Sequence, residues 1–267
     1  MDQLPKIVLF GDSLTEWGFD EKNHGFGWAL GQYYGEKVEV LNEGRAGYTS
    51  DWLKPDFQRI IQKAKEPCAP PTLLFAIFLG ANDACLPPAG AHVPLEHYEE
   101  NLREFVETIL TEEVMTDTKI VLITPPPINI PEPLSDPIDI GPAGAAEADL
   151  ESEKSTRGYR TYMSKKQYGD KIMNIAKSYE DATDRVIGLN YWKALIDAAL
   201  EQEGRLADED AYDENRLPGC GLTAAKEFQQ GYFTDGLHLD RLGYEVLTKA
   251  LMGAVLTKWP ELHRDWV

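Results

Sequence analysis

Thr234-Asp235-Gly236-Leu237-His238-Leu239 places a carboxylate three residues before an imidazole on a glycine-containing turn. That spacing suits a carboxylate that holds the ring's tautomer while its other nitrogen faces a nucleophile. A hydroxyl stands far upstream, at Ser13 in Gly11-Asp12-Ser13-Leu14. Two further loops carry chemistry: the glycine-punctuated run Asn42 to Ser50, which includes Gly44 and Gly47, and Gly80-Ala81-Asn82-Asp83 with its side-chain amide. Each residue also has a plainer use. Asp12 or Ser13 suits a helix cap, Gly47 and Asn82 suit turns, and Asp235 can cap its own turn with His238 incidental.

What raises these residues above their plainer uses is where they fall. Lys6 to Phe10, Lys37 to Leu41 and Thr72 to Leu79 read as strands, and the three loops begin where those strands end. Ile7 to Phe10 and Thr72 to Leu79 are nearly unbroken apolar runs, as in strands buried on both faces. Lys119 to Ile123 and Val186 to Leu189 are the fourth and fifth strands. Helices are expected over Phe26 to Tyr34 and Asp51 to Lys65, with Pro55 in the first turn of the second. Leu95, Tyr98, Leu102, Phe105, Val106, Ile109 and Leu110 recur at helical steps. A further helix is marked by Ile172, Ile175, Ala176 and Tyr179, another by Tyr191 to Leu200, and the last by Leu242 to Val255.

This alternation predicts an α/β fold: a three-layer α/β/α sandwich on a five-stranded parallel sheet, flavodoxin-like in the order 2-1-3-4-5. Parallel strands bring their carboxyl ends to one edge, where open α/β sheets bind ligands. Ser13, the Gly44–Gly47 backbone and Asn82 then share a crevice. The chain is expected to be one domain over residues 1–267, with insertions near 125–153 and 201–230 that follow strand ends and either wall a cleft or form surface loops.

Composition narrows the partners. The 267 residues, 43% of them apolar, suffice for a sizeable core. Asp and Glu number 45 against 26 Lys and Arg, a formal charge of -19. That balance argues against nucleic acid and against stable association with anionic membranes, and favours a neutral or cationic small molecule. Cys68, Cys85 and Cys220 are widely spaced, without the paired pattern of a disulfide framework or zinc site. No run approaches a membrane span, and Met1 to Lys6 leads directly into the first strand, so a soluble, cytoplasmic protein is expected.

With Gly11-Asp12-Ser13-Leu14, Gly47, Gly80-Ala81-Asn82-Asp83 and Asp235-Gly236-Leu237-His238 in this order, the chain resembles the SGNH hydrolases of the GDSL esterase/lipase superfamily. The runs Gly-Ala-Asn-Asp-Ala-Cys and Asp-Gly-Leu-His-Leu are similar to its isoamyl acetate-hydrolysing esterase branch. The resemblance implies a nucleophile at Ser13, a base at His238 and an orienting acid at Asp235. It implies an oxyanion hole from the backbone N–H of Ser13, the backbone N–H of Gly47 and the amide of Asn82. No cofactor and no metal are expected. The implied activity is hydrolysis of short-chain, acetyl-type esters of small alcohols through an acyl-enzyme, by a monomer or a homodimer.

Within the class, the rivals are a carbohydrate O-acetylesterase and a lysophospholipase or thioesterase. Outside it, a nucleotide-binding Rossmann-like domain is disfavoured because G-x-G-x-x-G and the P-loop pattern are absent, and an α/β-hydrolase because G-x-S-x-G is absent. A non-catalytic binding protein on the same fold would have no need of Ser13, Asn82, Asp235 and His238 together.

Overall fold

In the computed structural model, residues 3–87, 89–130, 160–222 and 224–267 are described. Five strands, β1 (Lys6–Gly11), β2 (Glu39–Gly44), β3 (Thr72–Phe78), β4 (Lys119–Ile123) and β5 (Val186–Leu189), form one sheet in the order β2-β1-β3-β4-β5. Every pairing is parallel. Seven α-helices accompany them among the described residues: α1 (Ser13–Glu16), α2 (Phe26–Tyr34), α3 (Lys54–Ala64), α4 (Leu95–Thr111), α5 (Tyr162–Tyr179), α6 (Tyr191–Gln202) and α7 (Arg241–Lys258).

Alternate residues of the central strands feed two separate cores. Ile7 and Leu9 of β1, with Leu74, Ala76 and Phe78 of β3, pack in a cluster with α2, α6 and α7. Val8 and Phe10, with Phe75 and Ile77, pack with α3, α4 and α5 in a second cluster. The two-residue period of a strand sends neighbours to opposite faces, so continuous apolar runs are what a doubly covered sheet requires. The result is the three-layer arrangement expected from the sequence.

Several boundaries move by a few residues, and two of the shifts have a plain physical reason. β2 runs on through Asn42 and Glu43, residues read above as loop, because at the sheet edge polar side chains can remain partly solvated while the backbone pairs with Leu9 and Phe10. α3 begins at Lys54 rather than Asp51, with proline at its start, where the missing N–H has no helical partner to lose. α5 opens at Tyr162 on a capping box in which Thr161 and Ser164 exchange side-chain and backbone hydrogen bonds.

Of the two segments expected as insertions, 131–153 lies outside the described residues. Residues 201–230 carry turns and no regular strand among those described. They are tied inward nonetheless. The Ile130 N–H donates to the Gly219 carbonyl at 2.9 Å, and the Phe228 N–H donates to Asn129 Oδ1 at 2.9 Å. No helix among the described residues is long and apolar enough to cross a membrane.

Candidate active site

β1 delivers Ser13 and α7's leading turn delivers His238 to the same point. Beyond Gly11 the chain turns into α1 with Asp12 as its N-cap, and Asp12 Oδ1 accepts the Leu14 N–H at 2.9 Å. Asp12 therefore takes the capping role, and Ser13 keeps its hydroxyl free for another partner. That partner is His238: Ser13 Oγ lies 3.2 Å from Nε2. The other ring nitrogen, Nδ1, lies 2.7 Å from Asp235 Oδ2. A carboxylate only accepts, so the Nδ1 position carries the proton and Nε2 is left to accept from the serine hydroxyl. These three residues, 225 positions apart in sequence between Ser13 and His238, form one hydrogen-bonded line.

Asp235 contacts both its own turn and the imidazole. Its Oδ1 accepts the N–H groups of Leu237 at 2.9 Å and His238 at 2.8 Å, shaping the turn, while Oδ2 holds the ring. Burial pushes its pKa up, but the hydrogen bonds from the His238 ring and from these two N–H groups outweigh burial and leave the carboxyl below the usual range. It stays ionised while half of its side chain remains open to solvent. The turn itself is fixed from behind, since the Asn129 N–H donates to the Gly236 carbonyl at 2.8 Å.

Gly47 and Asn82 come together beside α1. Gly44 pairs with Gly11 in the sheet, and a Cβ on Gly44 would lie 2.2 Å from the Glu16 nitrogen, so only glycine lets this loop pass so close. Glu16 Oε2 then accepts the Ala46 N–H at 2.5 Å. Gly47 adopts φ +80°, with open space where a side chain would begin. Asn82 Nδ2 donates to the carbonyl of Tyr48 at 2.7 Å, locking the amide to the Gly47–Tyr48 backbone. An amide nitrogen carries two hydrogens, so one remains for a bound oxygen. The N–H of Ser13, at the first position of a helix, likewise has no intrahelical acceptor.

A buried polar layer supports these loops. Asp83 Oδ1 accepts from the Ser50 N–H at 2.9 Å and the Ser50 hydroxyl at 2.6 Å. Asn101 Nδ2 donates to Ser50 Oγ and to Asp51 Oδ1, each at 2.9 Å. Burial pushes the Asp83 carboxyl up to about 6 against those hydrogen bonds. Asp12 is raised by burial too, opposed by the Leu14 N–H and by the charge of Lys165. Lys165 is fully buried, and burial, with the Arg160 charge, lowers its pKa while Asp12 raises it.

Three supporting residues left no mark in the sequence reading. Trp17, one turn beyond Ser13, lays its indole against the imidazole of His238 with ring centroids 4.2 Å apart. An aromatic four residues after the serine of a strand-end loop is the signal the sequence offers. Glu16 and Asn129 act through contacts 30 and 107 residues away along the chain, which spacing alone does not reveal. His97 gathers Asp51 and Glu100 around its ring at 2.9 and 3.1 Å, on the surface and with no hydroxyl in the set. Among the described residues no group of three or more His, Cys, Asp or Glu side chains converges as a metal site would need.

Comparison with known proteins agrees with this architecture. The GDSL-like Lipase/Acylhydrolase family profile matches residues 7–251. The isoamyl acetate-hydrolyzing esterase 1 homolog of Rattus norvegicus is 29% identical over 98% of this chain and 87% of its own length. The isoamyl acetate-hydrolyzing esterase of Saccharomyces cerevisiae is 28% identical over 98% of this chain and 93% of its own. Among solved structures, an acetylxylan esterase from Geobacillus stearothermophilus superposes with a TM-score of 0.58 over 96% of both chains, at 19% identity, a likeness of fold. The chain belongs to the GDSL-like lipase/acylhydrolase family and is a carboxylic ester hydrolase.

Proposed function

We propose that the chain is a serine esterase that removes a short acyl group, acetyl being the simplest, from a small neutral alcohol. The observation that carries this reading is the unbroken line Asp235 Oδ2 to His238 Nδ1 and His238 Nε2 to Ser13 Oγ, at 2.7 and 3.2 Å. In the first half-reaction Ser13 Oγ attacks the ester carbonyl and its proton passes to His238 Nε2. The imidazolium so formed is stabilised by Asp235 and then protonates the departing alkoxide. In the second half-reaction a water loses its proton to His238, attacks the acyl carbon and releases Ser13 with the carboxylic acid.

The negative charge on the carbonyl oxygen is held by the Ser13 N–H, the Gly47 N–H and the second Asn82 amide hydrogen. Donors set in place beforehand stabilise the tetrahedral intermediate without reorganising, each worth about 10²–10³ in rate. The open space over Gly47 supports the approach of a substrate oxygen to that backbone. The exposed rings of Trp17, Tyr48 and Trp52 supply apolar surface for a short acyl chain or alcohol. The names of the yeast and rat relatives point to acetate esters, and that of the bacterial neighbour to an acetylated sugar polymer.

The test is a series of p-nitrophenyl esters from acetate to palmitate on wild type and Ser13→Ala. We expect the highest kcat/KM at the short end and a loss of at least ~10³ in the variant with folding intact, since the nucleophile and base act as a unit. Turnover that survives in Ser13→Ala refutes the nucleophile. A preference for palmitate refutes the short-acyl reading, and strong activity on acetylated sugars with none on simple acetates moves the substrate to carbohydrate.

A further inference from the structure

We propose that Arg160 is a positioning residue of the oxyanion hole: it fixes and polarises the Asn82 amide that receives the substrate oxygen. The inference rests on the reading of Asn82 given above and extends it to a residue outside the four sequence blocks.

The Arg160 guanidinium makes a two-point contact with the turn that carries Asn82. Its Nε donates to the Ala81 carbonyl at 2.6 Å, and Nη2 donates to Asn82 Oδ1 at 2.5 Å. The backbone of Arg160 is itself held by an antiparallel bridge to Cys85, three residues past Asn82. On its other side Asn82 Nδ2 donates to the Tyr48 carbonyl. Guanidinium nitrogens can only donate and a carbonyl can only accept, so these two neighbours permit one orientation of the Asn82 amide. Its oxygen must face Arg160 and its nitrogen must face the Gly47–Tyr48 loop. Without Arg160 the amide loses one of the two partners that make a flipped or rotated side chain costly.

The contact also has an electronic consequence. A cationic donor on the amide oxygen draws electron density from the nitrogen and strengthens its N–H groups as donors, the cooperative effect of linked hydrogen bonds. A stronger donor gains most when the substrate oxygen becomes an anion, so the benefit falls on the transition state more than on bound ester. Arg160 need not touch the substrate to act in this way. The spacing is demanding: a lysine retains the charge but cannot contact Ala81 and Asn82 through two nitrogens of one rigid plane.

The experiment is a double-mutant cycle with p-nitrophenyl acetate. Wild type, Arg160→Met, Asn82→Ala and the double variant are compared in kcat and KM, with thermal denaturation to confirm folding. We expect Arg160→Met to lower kcat about 10- to 10²-fold, as for loss of a charge-assisted hydrogen bond, with KM changed less than about twofold. In the Asn82→Ala background the same substitution should change kcat less than about twofold, because the group it acts through is gone. Arg160→Lys should recover part of the loss, and it carries the cycle if Arg160→Met does not fold. Equal losses in both backgrounds, or a raised KM with kcat intact, overturn the role of Arg160 while leaving Asn82 in the hole. An Asn82→Ala variant with normal kcat removes Asn82 from the hole and the role of Arg160 with it. Neither result touches Ser13, whose own variant tests the esterase reading separately.

Discussion

The indole of Trp17 covers one face of the His238 imidazole, with centroids 4.2 Å apart and ring planes inclined by 47°. The ring that is proposed to collect a proton from Ser13 therefore becomes a cation against an aromatic face. Such a contact stabilises the cation by about 0.5–1 kcal/mol at an exposed site. Trp17 is itself 45% exposed, so removing it should disturb folding little. Trp17→Ala is expected to lower kcat about two- to fivefold on acetate esters while Tm moves by no more than about 2 °C, and Trp17→Phe should retain most of the activity. A kcat equal to wild type in Trp17→Ala would reduce the ring to a wall of the cleft.

Asp235 holds His238 through Oδ2 and its own turn through Oδ1, which lets the two roles be separated. Asp235→Asn keeps an oxygen for the Leu237 and His238 N–H groups but turns an N–H toward the ring. The imidazole would then favour the tautomer with its proton on the side of Ser13, where it cannot accept. Kinetic measurements should show kcat reduced by about 10²–10⁴ with little change in Tm, toward the lower end because half of the side chain meets solvent. A loss below threefold would mean that Asp235 shapes the turn and does nothing for the ring.

How much of this was readable in advance follows from where the information lies. β4 and β5 begin and end where their apolar runs do, because a doubly buried strand is written in consecutive residues. The apolar signal of β2 stops at Leu41 although the strand runs on, because an edge strand tolerates Asn42 and Glu43, whose side chains carry no such signal. Ser13, Asn82, Asp235 and His238 could be assembled because each follows a strand or precedes the last helix within a compact block. Trp17, Glu16, Asn129 and Arg160 could not. Their importance lies in contacts with His238, Ala46, Gly236 and Asn82 that exist only once the sheet has closed. At Asp12 and Ser13 residue type alone suits either to cap the next helix, and the fold separates them: Asp12 accepts the Leu14 N–H while Ser13 Oγ faces His238 Nε2.

Gly47 offers a test that separates backbone conformation from steric room. At φ +80° an alanine is strained by about 1–2 kcal/mol, yet its methyl group would meet no protein atom within 4 Å. Gly47→Ala should thus fold, with Tm lowered by a few degrees. If a substrate oxygen approaches this backbone, the methyl obstructs it and kcat/KM should fall at least about tenfold, the scale of losing part of one donor. Activity that falls only in step with the small stability change would remove Gly47 from the hole.

Asp83 carries a pH signature in stability. Its folded pKa, raised by burial to about 6 from an ordinary 3.8, means the native state binds the proton more tightly than the unfolded chain. The stabilisation from protonated Asp83 is therefore fully present below pH 3.8 and is lost as pH rises through about 6. Asp83→Asn, a neutral mimic of the protonated acid that can still accept from Ser50, should remove this dependence. Urea denaturation from pH 4 to 7 should show wild type losing about 2 kcal/mol relative to the variant, most of the linkage value for a shift of roughly two pKa units. Parallel curves for the two proteins across that range would show that the carboxyl ionises natively as easily as in the unfolded chain. In that case the Ser50 hydrogen bonds, rather than burial, decide its charge.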